Sequence, residues 1–444
     1  MSVLRDLAAF ACSASIKSLP EAERAIQRRH VADTFVAATA GALTSEGRAL
    51  RSVLPHMSVA DAIGLQTAVI RHTEIDDIHT PSCVTPSSVT VPTALSLTRS
   101  RNEFDPDTVA SAIWIGTELM TRLGVALNGA RIIYRGVWPT YFTAPFGAAA
   151  IAARIGKLNE DQTTHALSLA LMLTAGRAGR FQGQLPGRSV ILAMAVANGV
   201  RAADAARQGV GGDPDLLYGP WMREAQGLEA DLGALTAGLG GASIYTQMTL
   251  KPFCSAKQAI SSVEALMSLI DEGLPAESIS KVSVRVPLPY ARMIAMKPGP
   301  DSRSSTIVSA AFQMGLAAHR RRRLYDIERA EALLESDALA LADKIHIAAD
   351  ESLLETFPVS YPAEIEVTAG DKVLRRRITA TYGDPTRPLD DAALLQKAER
   401  VWTTPLLMHA RSRAKSIVAL GLAGLQDYDS CKRLADAMWV TCAA

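Results

Sequence analysis

The sequence predicts a mainly α fold, a large all-helical domain with a smaller α+β lid domain inserted into it. Alanine runs such as Ala148 to Ala153 and Ala193 to Ala197, in a chain only 5% aromatic, suit closely packed helices better than sheets. Apolar residues recur at helical spacing from Glu21 to about residue 270. Near residue 278 the period becomes two, and past Pro388 the helical spacing returns. At 444 residues the chain has room for two domains. We expect a large helical domain over residues 1–270, the lid over 271–392, and C-terminal helices over 393–444 that rejoin the large domain.

The local signals fall in order along the chain. Asn159 and Gln162 form a capping box before the apolar run Ala166 to Leu173, and Gly156 closes the preceding helix. Val282, Val284 and Val286 alternate within Ser280 to Pro287, and two further strands are expected around a turn at Gly370-Asp371. Helical stretches are expected at Ser304 to Ala318 and Glu328 to Leu341. No repeat of 20–50 residues and no low-complexity linker interrupts this plan.

Charge and cysteine usage exclude several classes of function. With 46 basic and 45 acidic residues there is no global field to hold nucleic acid or an anionic membrane, so neither is expected as a partner. The basic run His319 to Arg323 is either a solvated helix end or an anion patch. Five widely spaced cysteines without a CxxC pair argue against a disulfide scaffold or structural zinc, and a reducing, cytoplasmic setting is expected. The apolar patch Leu7 to Cys12 is too short for a secretory signal, and no apolar stretch is expected to span a membrane.

Three segments carry residues suited to acid/base chemistry. In the first, a helix beginning near Val59 is expected to continue through His79. Glu74 and Asp77 then share one face, and His72, Asp76 and His79 share another. Acid/base work, a metal site and a solvated helix end with ordinary ion pairs are all open from these residues. The loop that follows holds Cys83, a thiolate or a packed thiol, and Thr85 before Pro86.

The second segment, Arg135 to Gly147, gathers Trp138, Tyr141, Phe142 and Phe146 in a chain poor in aromatics. Tyr141 offers an acid or oxyanion donor and Trp138 a rigid wall, although core packing explains both equally well. The third segment runs from Lys251 through Cys254 and Ser255 to Lys257 and Gln258. Here Ser255 and Gln258 read as a capping box that puts Lys257 in the first helical turn. A cation there opposes the helix dipole, so it is either paired with a bound carboxylate or a chance surface lysine. A fourth stretch, Gly176 to Arg188, places Arg177, Arg180 and Arg188 in a glycine-rich loop that matches no phosphate-binding pattern.

Taken together, these segments resemble the MmgE/PrpD family along most of the chain. The matching landmarks are Leu19-Pro20 through Asp33, Asp76-Asp77 followed by Thr85-Pro86-Ser87, Gly136 through Gly147 leading into Ala148 to Ala150, and Lys251-Pro252 before a helix. The family includes 2-methylcitrate dehydratase, cis-aconitate decarboxylase and iminodisuccinate epimerase. The resemblance implies a homodimer acting without a cofactor on a small di- or tricarboxylic acid.

The chain departs from the dehydratase and decarboxylase pattern. Trp138 and Thr85 stand where those enzymes have histidines, and Arg188 stands near their lysine. Glu74 to His79, Trp138 to Tyr141 and Cys254 to Gln258 more closely resemble the epimerase branch. The alternatives are a lyase and an inactive binding homologue. On this reading His79, Tyr141, Lys251, Lys257, Asp77 and Glu74 are the catalytic candidates, with Glu74 or Asp77 orienting His79. Thr85, Trp138, Arg188, Cys83, Cys254 and Gln258 are expected to line the substrate site, and no metal ligands are assigned. Replacing Lys257 by methionine is expected to harm turnover more than folding.

Overall fold

A computed structural model describes residues 2–53, 58–174, 187–298, 303–329, 335–402 and 413–443. The chain forms two units. One is helical and uses both ends of the chain, up to Met248 and again from Ser412; the other runs Thr249–Arg411. The sequence had suggested 271 and 392 as the corresponding boundaries. The fold is mainly α, with its larger sheet confined to the second unit.

The helical unit contains α1 (Val3–Ser13), α2 (Glu21–Ala42), α3 (Ser45–Val53), α4 (Val59–Arg71), the short strand β1 (Ile78–His79), α5 (Ser87–Arg101), α6 (Pro106–Ala126), α7 (Gly129–Ile132), α8 (Pro139–Ile155), α9 (Glu160–Met172), α10 (Gly187–Arg207) and α11 (Leu232–Thr236). The two-residue strand β2 (Met248–Thr249) leads out of it. Local chemistry sets several of these ends. Asp105 caps α6 with Pro106 at its first position, and the expected capping box at α9 is present, with Gln162 N–H donating to Asn159 Oδ1 at 2.8 Å.

Small residues bring the helices together. A Cβ on Gly64 of α4 would lie 2.3 Å from the carbonyl oxygen of Ala193, and one on Gly199 would lie 2.2 Å from that of Pro145. Helix α10 therefore meets α4 through Ala193 and α8 through Gly199, both at backbone contact. Among the described residues it is also the one place where the membrane expectation needs correction. By length and composition Gly187–Arg207 could cross a membrane, but 61% of its apolar window is buried in the protein, as in a core helix.

The second unit contains α12 (Lys257–Asp271), β3 (Ile279–Val286), α13 (Leu288–Ile294), α14 (Arg303–Val308), α15 (Ala310–His319), α16 (Ser336–Ala342), β4 (Ile345–Ala349), β5 (Ala363–Ala369), β6 (Lys372–Ile378) and α17 (Asp391–Val401). Helices α18 (Ala414–Ala423) and α19 (Tyr428–Ala443) return the chain to the helical unit. The sheet order is β4-β3-β5-β6. Strands β5 and β6 form the expected hairpin at Gly370, whose φ of 56° suits a residue without a Cβ. Val282 and Val284 face inward opposite Val367 and Ile365, and Val286 is buried as well.

Three details differ from expectation. Strand β4, parallel to β3, was not foreseen, because only Ile345 is buried in it and the exposed His346, Ala348 and Ala349 give no clear apolar alternation. The helix expected over Ser304 to Ala318 is two helices, divided where Ser309 caps α15. Of the helix expected from Glu328 to Leu341, Ser336–Ala342 is helical and Arg329 is left-handed with φ 56°, while residues 330–334 lie outside the described residues. The basic run is tied up by local acids, Arg320 with Glu335 and Asp337, Arg321 with Asp271 and Arg323 with Glu335.

Because α8 and α10 touch through backbone at Gly199, a methyl group there has nowhere to go. Gly199→Ala is expected to destabilise the protein by about 1–3 kcal/mol through overpacking. A lowered thermal midpoint would show this, and an unchanged one would contradict the close approach.

Candidate active site

Helix α4 stops at Arg71, not at His79. Glu74 adopts φ 59°, which ends helical geometry without a glycine or proline to announce it. The shared helical faces expected for residues 72–79 are therefore absent, and each side chain finds its own partner. Arg71 Nη1 bridges Glu74 at 3.0 Å and Asp76 at 3.1 Å. His72 Nε2 meets Thr44 Oγ1 at 2.8 Å. Asp77 accepts from the Ser87 N–H at 3.2 Å and from the Ser87 hydroxyl, and its other contact is His30 Nδ1 at 2.7 Å. The metal alternative loses its shared face as a result. Among the described residues, no three His, Cys, Asp or Glu side chains gather as a metal would need.

His79 is 1% exposed and lies on β1, where its N–H donates to the Val84 carbonyl at 2.8 Å. Its Nδ1 lies 2.8 Å from Ser82 Oγ, and its buried Nε2 has no hydrogen-bond partner. Ser82 therefore holds the ring, correcting the expectation that Glu74 or Asp77 orients it. Burial pushes the imidazole down to about 4, while the Gln247 amide and the Asp77 charge act in the opposite direction. His79 is consequently neutral near pH 7.

The loop carries this framework to the second segment. Val84, paired with His79, precedes Thr85, whose N–H donates to Thr140 Oγ1 at 3.0 Å in the first turn of α8. Thr85 is thus a strut between segments. Cys83 is buried at φ 54° within the turn.

The next residue, Tyr141, is buried and stacks on Trp138 with ring centroids 5.7 Å apart and planes inclined by 26°. The Arg188 guanidinium lies 4.2 Å from the centre of the Trp138 ring on its face, a cation–π contact. Burial raises the Tyr141 hydroxyl above its ordinary range against the pull of Arg188 and Arg71, so it stays protonated. Arg71 itself is held charged, burial being outweighed by Asp76 and Glu74. Tyr141 thus stands in the field of two arginines and two carboxylates. Of the Gly176 to Arg188 loop, residues 176–186, Arg177 and Arg180 among them, lie outside the described residues.

The third segment belongs to the second unit, where Lys251, Cys254, Lys257 and Gln258 are all buried. Lys257 does open α12, but the capping box expected with it does not form. The Ser255 hydroxyl donates to the Ala256 carbonyl and accepts from Gln313 Nε2, each at 2.9 Å. Lys257 is neither a surface lysine nor a cation lacking a partner. Its ammonium donates to Thr381 Oγ1 at 2.6 Å and to the Asp384 carboxylate. Burial lowers Lys257, opposed by Asp384, while Asp384 is kept ionised against its own burial by Lys257, Thr381 and Thr249. The Cys254 carbonyl accepts from Arg329 Nη2 at 2.7 Å.

Sequence reasoning passed over His30, Arg71, Ser82 and Asp384. His30 lies inside the Leu19 to Asp33 landmark and Arg71 directly precedes the first acid/base segment, and that adjacency is the signal each carries in the sequence.

The model for the MmgE/PrpD N-terminal domain matches residues 5–227, and that for the MmgE/PrpD C-terminal domain matches residues 253–422. The chain belongs to the MmgE/PrpD family. MmgE/PrpD proteins are dehydratases, decarboxylases and epimerases, which supports a lyase- or isomerase-type enzyme. A search of curated proteins found no match.

Two outcomes follow for this MmgE/PrpD chain. Lys257→Met leaves a buried Asp384 without its cation and is expected to destabilise by about 3–5 kcal/mol, so that folding suffers along with turnover. The double change Lys257→Met with Asp384→Leu should recover part of that loss in a denaturant titration, and no recovery would contradict the pairing. For His79, the unfolded ring binds its proton near pH 6.5 and the folded one only near 4. Stability is therefore complete above pH 6.5 and falls on acidification toward 4. His79→Gln should flatten that slope in thermal melts taken across the range.

Proposed function

We propose that this enzyme removes the proton next to a carboxylate of a small polycarboxylic acid, in the manner of an iminodisuccinate epimerase. The observation that carries the reading is the contrast between two buried groups, His79 and Tyr141. His79 is neutral with an unpartnered Nε2, while Tyr141 is fully protonated beside Arg71 and Arg188. One can accept a proton and the other can donate one, as epimerisation at a single carbon requires. A substrate carboxylate near His79 raises its proton affinity from about 4 toward the working pH. Arg188, supported on Trp138, supplies a fork suited to a carboxylate and to the developing enolate.

The lyase alternative gains less support, because Trp138 and Thr85 bring packing and a strut where an imidazole would be wanted. Lys251 and Lys257 remain proposed as cationic participants, with Lys257 acting from its pair with Asp384. A homodimer and a cytoplasmic setting belong to the same proposal. Light scattering would test the former as a species of twice the 47.3 kDa chain mass.

Proton NMR in D2O with iminodisuccinate, methylcitrate, citrate and cis-aconitate tests the chemistry. Deuterium is expected to enter iminodisuccinate without its consumption, and His79→Gln or Tyr141→Phe should each slow that exchange by about 100-fold or more. Full retention of hydrogen in every diacid and triacid would overturn the proposal, and a new alkene or released carbon dioxide would move it to a lyase.

A further inference from the structure

We infer that Ser82 is a positioning residue that fixes the tautomer of His79, keeping the imidazole proton on Nδ1 and leaving Nε2 as a bare lone pair. This deepens the reading of His79 as a base and rests on it only for the catalytic consequence.

The assignment follows from counting protons and lone pairs around one buried hydroxyl. Ser82 is fully buried, and a hydroxyl has one proton to give and two lone pairs to receive. Three groups surround it. The His79 carbonyl, 3.3 Å away, can only accept, so the hydroxyl proton points there. The Val84 N–H, also 3.3 Å away, can only donate and occupies one lone pair. The second lone pair faces His79 Nδ1 at 2.8 Å, and that contact is a hydrogen bond only if Nδ1 carries the proton. In the neutral ring Nε2 then has none, which agrees with its lack of a hydrogen-bond partner. The Gln247 amide lies near enough to favour the protonated ring, but it makes no contact of hydrogen-bond geometry with Nε2.

The backbone explains why the hydroxyl cannot turn aside. A Cβ on Gly129 would lie 1.9 Å from the Ser82 carbonyl oxygen, and one on Gly124 would lie 2.7 Å from the Ser82 Cβ. Ser82 is thus pressed against the end of α6 and the start of α7. The His79 N–H bond to the Val84 carbonyl closes the turn from its other side.

Two-bond proton–nitrogen correlation spectra of the full chain, labelled with ring-15N histidine and recorded at about pH 7, read the tautomer directly. The His79 signals are identified by their loss in His79→Gln. In the wild type, Nδ1 should show the shift of a protonated nitrogen and Nε2 that of a bare one; the reverse pattern overturns the inference without any serine variant. In Ser82→Ala the proton should move at least partly to Nε2, with kcat down about tenfold at little-changed KM, less than removal of the base costs. A His79 that keeps its proton on Nδ1 in Ser82→Ala refutes the role of Ser82. A shifted tautomer with unchanged kcat upholds that role and refutes His79 as the base.

Discussion

A buried carboxylate is tolerable only if the chain surrounds it with donors, and Asp77 sets that condition for the helical unit. Its partners come from two separate elements, His30 on α2 and Ser87 at the start of α5. Helix α4, the irregular turn after it and β1 take their positions between those anchors. His30 is in turn 5.7 Å from the Tyr245 ring, whose hydroxyl accepts from Gln27 Nε2 at 3.3 Å. The acid that sequence reasoning assigned to His79 is thus primarily a clamp. Its effect on His79 is that of a nearby charge, and direct contact with the ring belongs to Ser82.

Much of the fold was legible because its signals are local. The capping box at Asn159 and Gln162 and the hairpin at Gly370 involve residues only a few positions apart. The same type of signal failed at Ser255 and Gln258, where Gln313, distant in sequence, takes the serine hydroxyl. The helix drawn through His79 failed for another reason. Glu74 supplies a left-handed turn that glycine or asparagine usually marks, so the stop had no sequence signature.

At the site, residue types were easier to read than roles. Tyr141 and Trp138 stood out as aromatics in a chain with few, and they do stack. His30 pairs with Asp77 across 47 positions, and Lys257 with Asp384 across 127, distances that no periodicity reveals. Buried charge therefore closes long-range contacts in both units, while around Tyr141 the arginines pull against the burial that keeps its hydroxyl protonated.

The return of α18 and α19 to the helical unit has a consequence for synthesis. Gly421 of α18 approaches Ala32 of α2 so closely that an added Cβ would lie 2.3 Å from the Ala32 Cα. That surface of α2 is complete only when the last helices arrive. A chain leaving the ribosome exposes an unfinished helical unit throughout the synthesis of Thr249–Arg411, and the second unit has its whole sequence before the helical unit does. The order of maturation is thus the reverse of the order of translation, and a chaperone would find its longest-lived client surface at the N-terminal helices.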